Sequence, residues 1–190
     1  MDNLNPEQVS QLGTSVTSGM SREEIGAFVI DCQIKKREVC PEGSYNAVLA
    51  TIHDLGVQPS LFKDSGPTRK LAFMFEVDAS DDHKPFVLSK LVGVSLHEKS
   101  HLRGIVAACR GSDLTADEQK TGHVNLGELI GKPCIVTVTS KANAEGNVKA
   151  IIAHVARHVR GMPVMKPTLD TSVTPEWVTR MCSQAISTAA

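Results

Sequence analysis

Between Lys70 and Asp78 the chain alternates large apolar residues with smaller or polar ones, placing Leu71, Phe73, Phe75 and Val77 at every second position. Successive side chains of a strand point to opposite faces, so this run can bury its aromatic side only as a β-strand lying on a core. On a helix the same four residues would be scattered around the circumference. A strand also needs neighbours for its backbone hydrogen bonds, and the flanking sequence supplies candidates. Ser44 to Asp54, bounded by Pro41-Glu-Gly43 and Gly56, mixes Tyr45, Val48, Leu49, Thr51 and Ile52 as a half-buried strand does. Phe86 to Val94 follows a polar turn, Asp78 to Pro85, that is short enough for a hairpin. Cys134 to Ser140 and Val148 to Val155 are joined by Lys141-Ala-Asn-Ala-Glu-Gly-Asn147, a turn-forming stretch.

Helical spacing occurs between the third and fourth of these strands. Ser95-Leu-His-Glu98 has the form of a capping box, and Leu102, Ile105, Val106 and Cys109 then recur on one helical face until Arg110-Gly111. Thr115-Ala-Asp-Glu118 and Val124 to Ile130 predict two further short helical turns. The expectation is a mainly β domain over 41–162, a five-stranded β-barrel with a helix between strands 3 and 4, which is the order of an OB-fold. Residues 1–40 read as an N-terminal tail poor in apolar anchors, ending in a short amphipathic helix that starts at Ser21 and carries Ile25, Phe28, Val29 and Cys32. Residues 163–190 read as a linker marked by Pro163 and Pro167, then a helix capped by Thr174 with Pro175 at its first position. Its apolar stripe comprises Trp177, Val178, Met181, Cys182, Ala185 and Ile186.

Composition narrows the function classes. A chain of 190 residues with 41% apolar content holds one core plus extensions, so one site is expected. The net charge of −1 disfavours a tight binder of duplex DNA. No apolar run is long enough to span a bilayer, and the opening Met-Asp-Asn-Leu-Asn-Pro-Glu lacks the basic and apolar regions of a secretion signal. The expectation is therefore a protein of the cytoplasm with no membrane partner. Five scattered cysteines without a Cys-x-x-Cys pair suggest neither disulfides nor a zinc knuckle.

No catalytic residues, metal site or cofactor are expected. His97-Glu-Lys-Ser-His101 satisfies the His-Glu-x-x-His pattern of zinc hydrolases, but it falls at the predicted helix cap rather than within a helix, so a solvated helix start accounts for it. His154 and His158 also lie four apart, on a strand whose alternation separates them. Asp78, Asp81 and Asp82 cluster in a turn and face water on the plainer reading.

The basic residues are more informative. From Pro41 to Gly161 there are fourteen Lys and Arg against thirteen Asp and Glu, nearly balanced, yet Lys63, Arg69 and Lys70 gather at the first long loop and Lys141 and Lys149 flank the last turn. In an OB-type barrel these two loops border the groove that follows a single strand. Phe62 in the first loop offers a ring for base stacking or folds back on the barrel, whereas Phe73, Phe75 and Phe86 belong to the core.

Seven blocks carry a family resemblance: Pro41-Glu-Gly-Ser-Tyr45, Asp54-Leu-Gly56, Lys84-Pro-Phe86, Ser95-Leu-His-Glu-Lys-Ser100, Leu102-Arg103, Arg110-Gly111 and Leu129-Ile-Gly-Lys-Pro-Cys134. Together, over about 41–162, they resemble a family of phage and prophage replication-associated proteins whose fold is similar to that of phage single-stranded-DNA-binding OB proteins. The chain departs from that pattern in having Cys109 where similar proteins tend to carry Trp, and in ending Ser-Thr-Ala-Ala without an acidic tip. The resemblance implies a non-catalytic single-stranded-DNA-binding protein acting in replication or recombination in the host cytoplasm. Lys63, Arg69, Lys70, Lys141 and Lys149 would contact phosphates, Phe62 would stack, and Lys90 and Arg103 would be further members of the groove. The alternative is an interaction module that recruits a replication, recombination or host protein, with Trp177, Val178 and Met181 as the docking face. Either reading is compatible with homo-oligomerisation.

Overall fold

The computed structural model describes residues 38–60, 66–79, 84–143 and 146–186. All of these belong to one compact unit, Glu38–Ala190. The helix expected from Ser21 lies outside the described residues.

The period-two segments form five strands, β1 (Gly43–Gln58), β2 (Thr68–Val77), β3 (Phe86–Gly93), β4 (Pro133–Ala142) and β5 (Val148–Arg157). They make one antiparallel sheet in the order β3-β2-β1-β4-β5. β1 serves two neighbours, pairing with β4 from Gly43 to Val48 and with β2 from Ala47 to Gln58. Bulges between Leu49 and Thr51 and between Asp54 and Val57 let this long strand bend. The sequence expectation ended β1 at Asp54 because Gly56 reads as a turn. Instead Gly56 takes φ 69° within the second bulge, a conformation open to glycine, and the strand continues.

The inner face of the sheet carries Leu49, Phe73, Phe75, Val77, Val136 and Val138, all 1% exposed or less. Each such side chain contributes about 1.5–3 kcal/mol of burial. Helix α1 (His101–Arg110) lays Leu102, Ile105 and Val106 on this core and contacts β5, β3 and β4. Its cap is Ser100, whose hydroxyl accepts from Arg103 N at 3.2 Å, and not Ser95, which accepts from His97 N in a preceding turn. Helix α2 (Ala116–Thr121) does begin with the expected capping box, Thr115 and Glu118 bonding reciprocally, and a 3-10 turn occupies Leu126–Leu129.

The sheet is not closed into the expected barrel. Among the described residues no backbone ladder joins β3 to β5, although the two strands touch. A bulge leaves Ala153 of β5 without a partner on β4. The seam is held instead by a side chain, the Lys90 ammonium of β3, which donates to the carbonyls of Ile152 (2.7 Å) and Ala153 (3.1 Å).

Residues 163–175 form no helix or strand and lead to the expected C-terminal helix, and the segment is fastened to the sheet. Seven consecutive residues of β2, Leu71 to Val77, are buried, so its outer face is covered as well as its inner one. The cover is the C-terminal segment. Glu76, 1% exposed on that outer face, accepts from Thr168 N (2.8 and 3.0 Å), Thr168 Oγ1 (2.8 Å) and Leu169 N (2.6 Å). Helix α3 (Glu176–Ser183) then packs Val178, Trp177 and Met181 against Leu55 and Ala72. Ile186 N donates to Val57 O at 2.8 Å and ties the segment to the end of β1. Pro175, rather than Thr174, stands at the helix cap, and no side chain bonds there.

Candidate nucleic-acid interface

The β4–β5 hairpin brings two of the expected cations together. Lys141 and Lys149 are direct cross-strand partners, and both are exposed. Among the described residues neither forms an ion pair. Opposed like charges on adjacent strands destabilise a ladder unless an anion lies between them. The inner positions Val138 and Ile152 are buried, so alternation puts Thr139 and Ile151 on the outer face beside the two lysines. Ile151 is 41% exposed and was not singled out from the sequence, although an apolar residue at an outward position is the signal that would find it. Glu42 lies near this tip, accepting from Ser140 N at 2.8 Å.

The other expected contacts are distributed differently. Phe62 and Lys63 lie outside the described residues. Arg69 grips Asp54 with its guanidinium, Nε sitting 3.0 Å from Oδ2 and 3.3 Å from Oδ1, and that bond holds the Asp54 carboxyl below the usual carboxylate range. Lys70 is half-buried on β2, opposite Gly93 of β3. Lys90 faces the β3–β5 seam, where burial pushes its ammonium below its ordinary pKa. Arg103 on α1 makes a bidentate pair with Asp113 at 2.9 and 2.6 Å, and this pair holds the aspartate down at about 2. Three of the eight groove residues are thus engaged within the chain, and Lys70, Lys141 and Lys149 remain without a carboxylate among the described residues.

The face expected to dock on a partner is also engaged internally. Val178 is 2% exposed, and Trp177 and Met181 pack against the same cluster on β1 and β2. The apolar stripe that looked unpartnered in sequence has its partner in the sheet, because the outer face of β2 is itself apolar at Ala72 and Met74.

The members of the two histidine pairs have different surroundings. His97 lies in the turn before α1, its Nδ1 accepting from Lys99 N at 3.3 Å, and His158 Nε2 lies 3.3 Å from Pro163 O. His101 and His154 instead line one cavity of about 180 Å³ with Lys90, Glu98 and Lys99. Among the described residues no three His, Cys, Asp or Glu side chains gather into a metal site. The thiols of Cys109 and Cys134 are buried side by side, and the bond from Cys109 together with burial pushes Cys134 far above the usual thiol range. A protonated, enclosed thiol is a poor nucleophile. No helix among the described residues is long and apolar enough to cross a membrane. In comparison with known proteins, no family model matches this chain and no curated protein matches its sequence.

Proposed function

We propose that the protein binds single-stranded DNA without catalysing a reaction, in phage replication or recombination, and that its sheet is a partly open barrel of the OB type. The fold half of this reading is supported by the order β3-β2-β1-β4-β5 with a helix between β3 and β4. The phage setting rests on the sequence blocks that resemble replication-associated proteins. The observation that carries the binding claim is the opposed pair Lys141 and Lys149 at the hairpin tip, a charge arrangement that a phosphate backbone would relieve.

OB-type domains present ligands to the face of strands 2 and 3 and to the loops after strands 1 and 4. Here the β2 part of that face lies under the C-terminal segment. A bound strand would therefore run along the exposed hairpin, with Lys141 and Lys149 on phosphates and Ile151 and Thr139 beneath the bases. Phe62, Lys63 and Lys70 would extend the track at the first loop.

A mobility-shift assay with single and double strands at two salt concentrations tests the proposal. The expected result is a preference for single strands, weak dependence on base sequence, and a steep loss of affinity with salt. Absence of a shift with single strands at low salt would refute it.

A further inference from the structure

We infer that the cavity at the end of α1 binds a phosphate group. It has a volume of about 240 Å³ and is lined by Arg110, Gly111, Lys132, Arg157 and His158 along with apolar atoms of the helix. That is several times the roughly 30 Å³ one water occupies in the liquid. Among the described residues no carboxylate lines it, although Glu128 lines an adjoining cavity that shares Arg110 and Lys132.

Its two leading cations are held by rigid backbone. Lys132 follows a tight turn fixed by Gly131 N to Leu49 O (2.8 Å), Lys132 N to Leu129 O (3.0 Å) and Leu49 N to Lys132 O (3.2 Å). Arg157 is the last residue of β5, opposite Cys134. Its guanidinium lies over Gly111, where a Cβ would come within 3.1 Å of Nε and 3.3 Å of Cζ. Gly111 also holds φ 81° as the cap of α1, so this floor is open only because the residue is glycine.

These cations contrast with the other arginines at the ends of α1. Arg103 and Arg110 each form a two-point pair with a carboxylate, Arg110 using both terminal nitrogens on Glu118 at 2.8 Å. Among the described residues, Arg157 and Lys132 form no side-chain hydrogen bond or ion pair with a carboxylate or with the last carbonyls of the helix. The negative end of the α1 dipole favours cations at this position and opposes an anion, so a phosphate here depends on the joint charge of Lys132 and Arg157 outweighing it. A planar fork above a glycine and a point charge lining the same cavity suit a phosphate oxyanion.

The site is separate from the hairpin tip. Seven or eight ladder positions divide Arg157 from Lys149, roughly 25 Å at about 3.3 Å per residue. The inference therefore stands apart from the strand-binding proposal. The phosphate could belong to a free ion or small metabolite, or to the end of a nucleic-acid strand.

Heteronuclear NMR of the full chain, titrated with inorganic phosphate at constant ionic strength, tests the site through the Gly111 amide and the Arg157 side-chain Nε–H. Both signals should shift saturably in the wild type. Affinity should fall about tenfold or more in R157Q and in K132Q, R157K should recover part of the loss in R157Q, and K141Q/K149Q should bind phosphate as the wild type does. Comparing one oligonucleotide with and without a terminal phosphate separates the sources: a gain from that phosphate, lost in K132Q, assigns the site to strand ends, whereas saturation by free phosphate alone assigns it to small ligands. Shifts that never saturate, or that persist unchanged in the folded K132Q protein, overturn the inference. Lys132 is exposed, so its variant tests the site even if R157Q fails to fold.

Discussion

Arg110 and Glu118 tie the end of α1 to the start of α2, and the same carboxylate accepts from the backbone and hydroxyl of Thr115. The bond from Arg110 holds Glu118 at about 2, well below its ordinary 4.5. A carboxylate depressed in the folded state stabilises fully above its unfolded value, and that contribution is lost as pH falls from about 4.5 toward about 2. E118Q should therefore flatten the acid limb of a stability profile in that window while lowering stability at neutral pH, as measured by urea unfolding at several pH values. Glu76 is the more demanding case, being enclosed and accepting from two backbone amides and a hydroxyl. E76A should cost on the order of 1–3 kcal/mol in the same assay, because it takes the charged acceptor from the Thr168 and Leu169 amides and leaves a gap at a buried position. Neither role was legible in the sequence. Arg69, Lys90 and Arg103 look equally available there, since their partners Asp54, Ile152 and Asp113 are separated from them by 15, 62 and 10 positions and only the folded chain brings them together.

At the level of elements, the segments with a strong period were readable and their ends were not. All five strands fell where alternation placed them, as did the helix carrying Leu102, Ile105 and Val106. The start of that helix was misplaced because Ser95 and Ser100 both offer a hydroxyl near it, and only Ser100 reaches an amide three residues on. The end of β1 was misplaced because a glycine suits a bulge as well as a turn. The fate of α3 could not be read at all, since an amphipathic stripe does not say whether it faces its own sheet or another molecule. Its docking is testable through Trp177, the chain's single tryptophan. V178D should detach the helix, giving a red-shifted Trp177 emission and faster proteolysis within 163–186 while the β-sheet circular dichroism persists. G56A should destabilise by more than about 1 kcal/mol, since φ 69° strains an alanine and its Cβ would meet Ala185 Cβ at 2.9 Å.

For the molecule as a whole, a near-neutral charge means that any nucleic-acid affinity must come from how cations are placed, not from their number. Internal ion pairs remove Arg69, Arg103 and Arg110 from that account, and the seam removes Lys90. The hairpin tip gains importance accordingly. The C-terminal segment adds a constraint absent from the linear sequence, because it covers the outer face of β2 and leaves the β4–β5 side open. The most direct test is the salt dependence of single-strand affinity, measured by fluorescence anisotropy with a labelled oligonucleotide for the wild type and K141Q/K149Q. Loss of two phosphate contacts should weaken binding and reduce the slope of log K against log salt by about 1.4. A wild type that fails to bind at low salt, or a double variant whose affinity and slope match the wild type, would contradict the account.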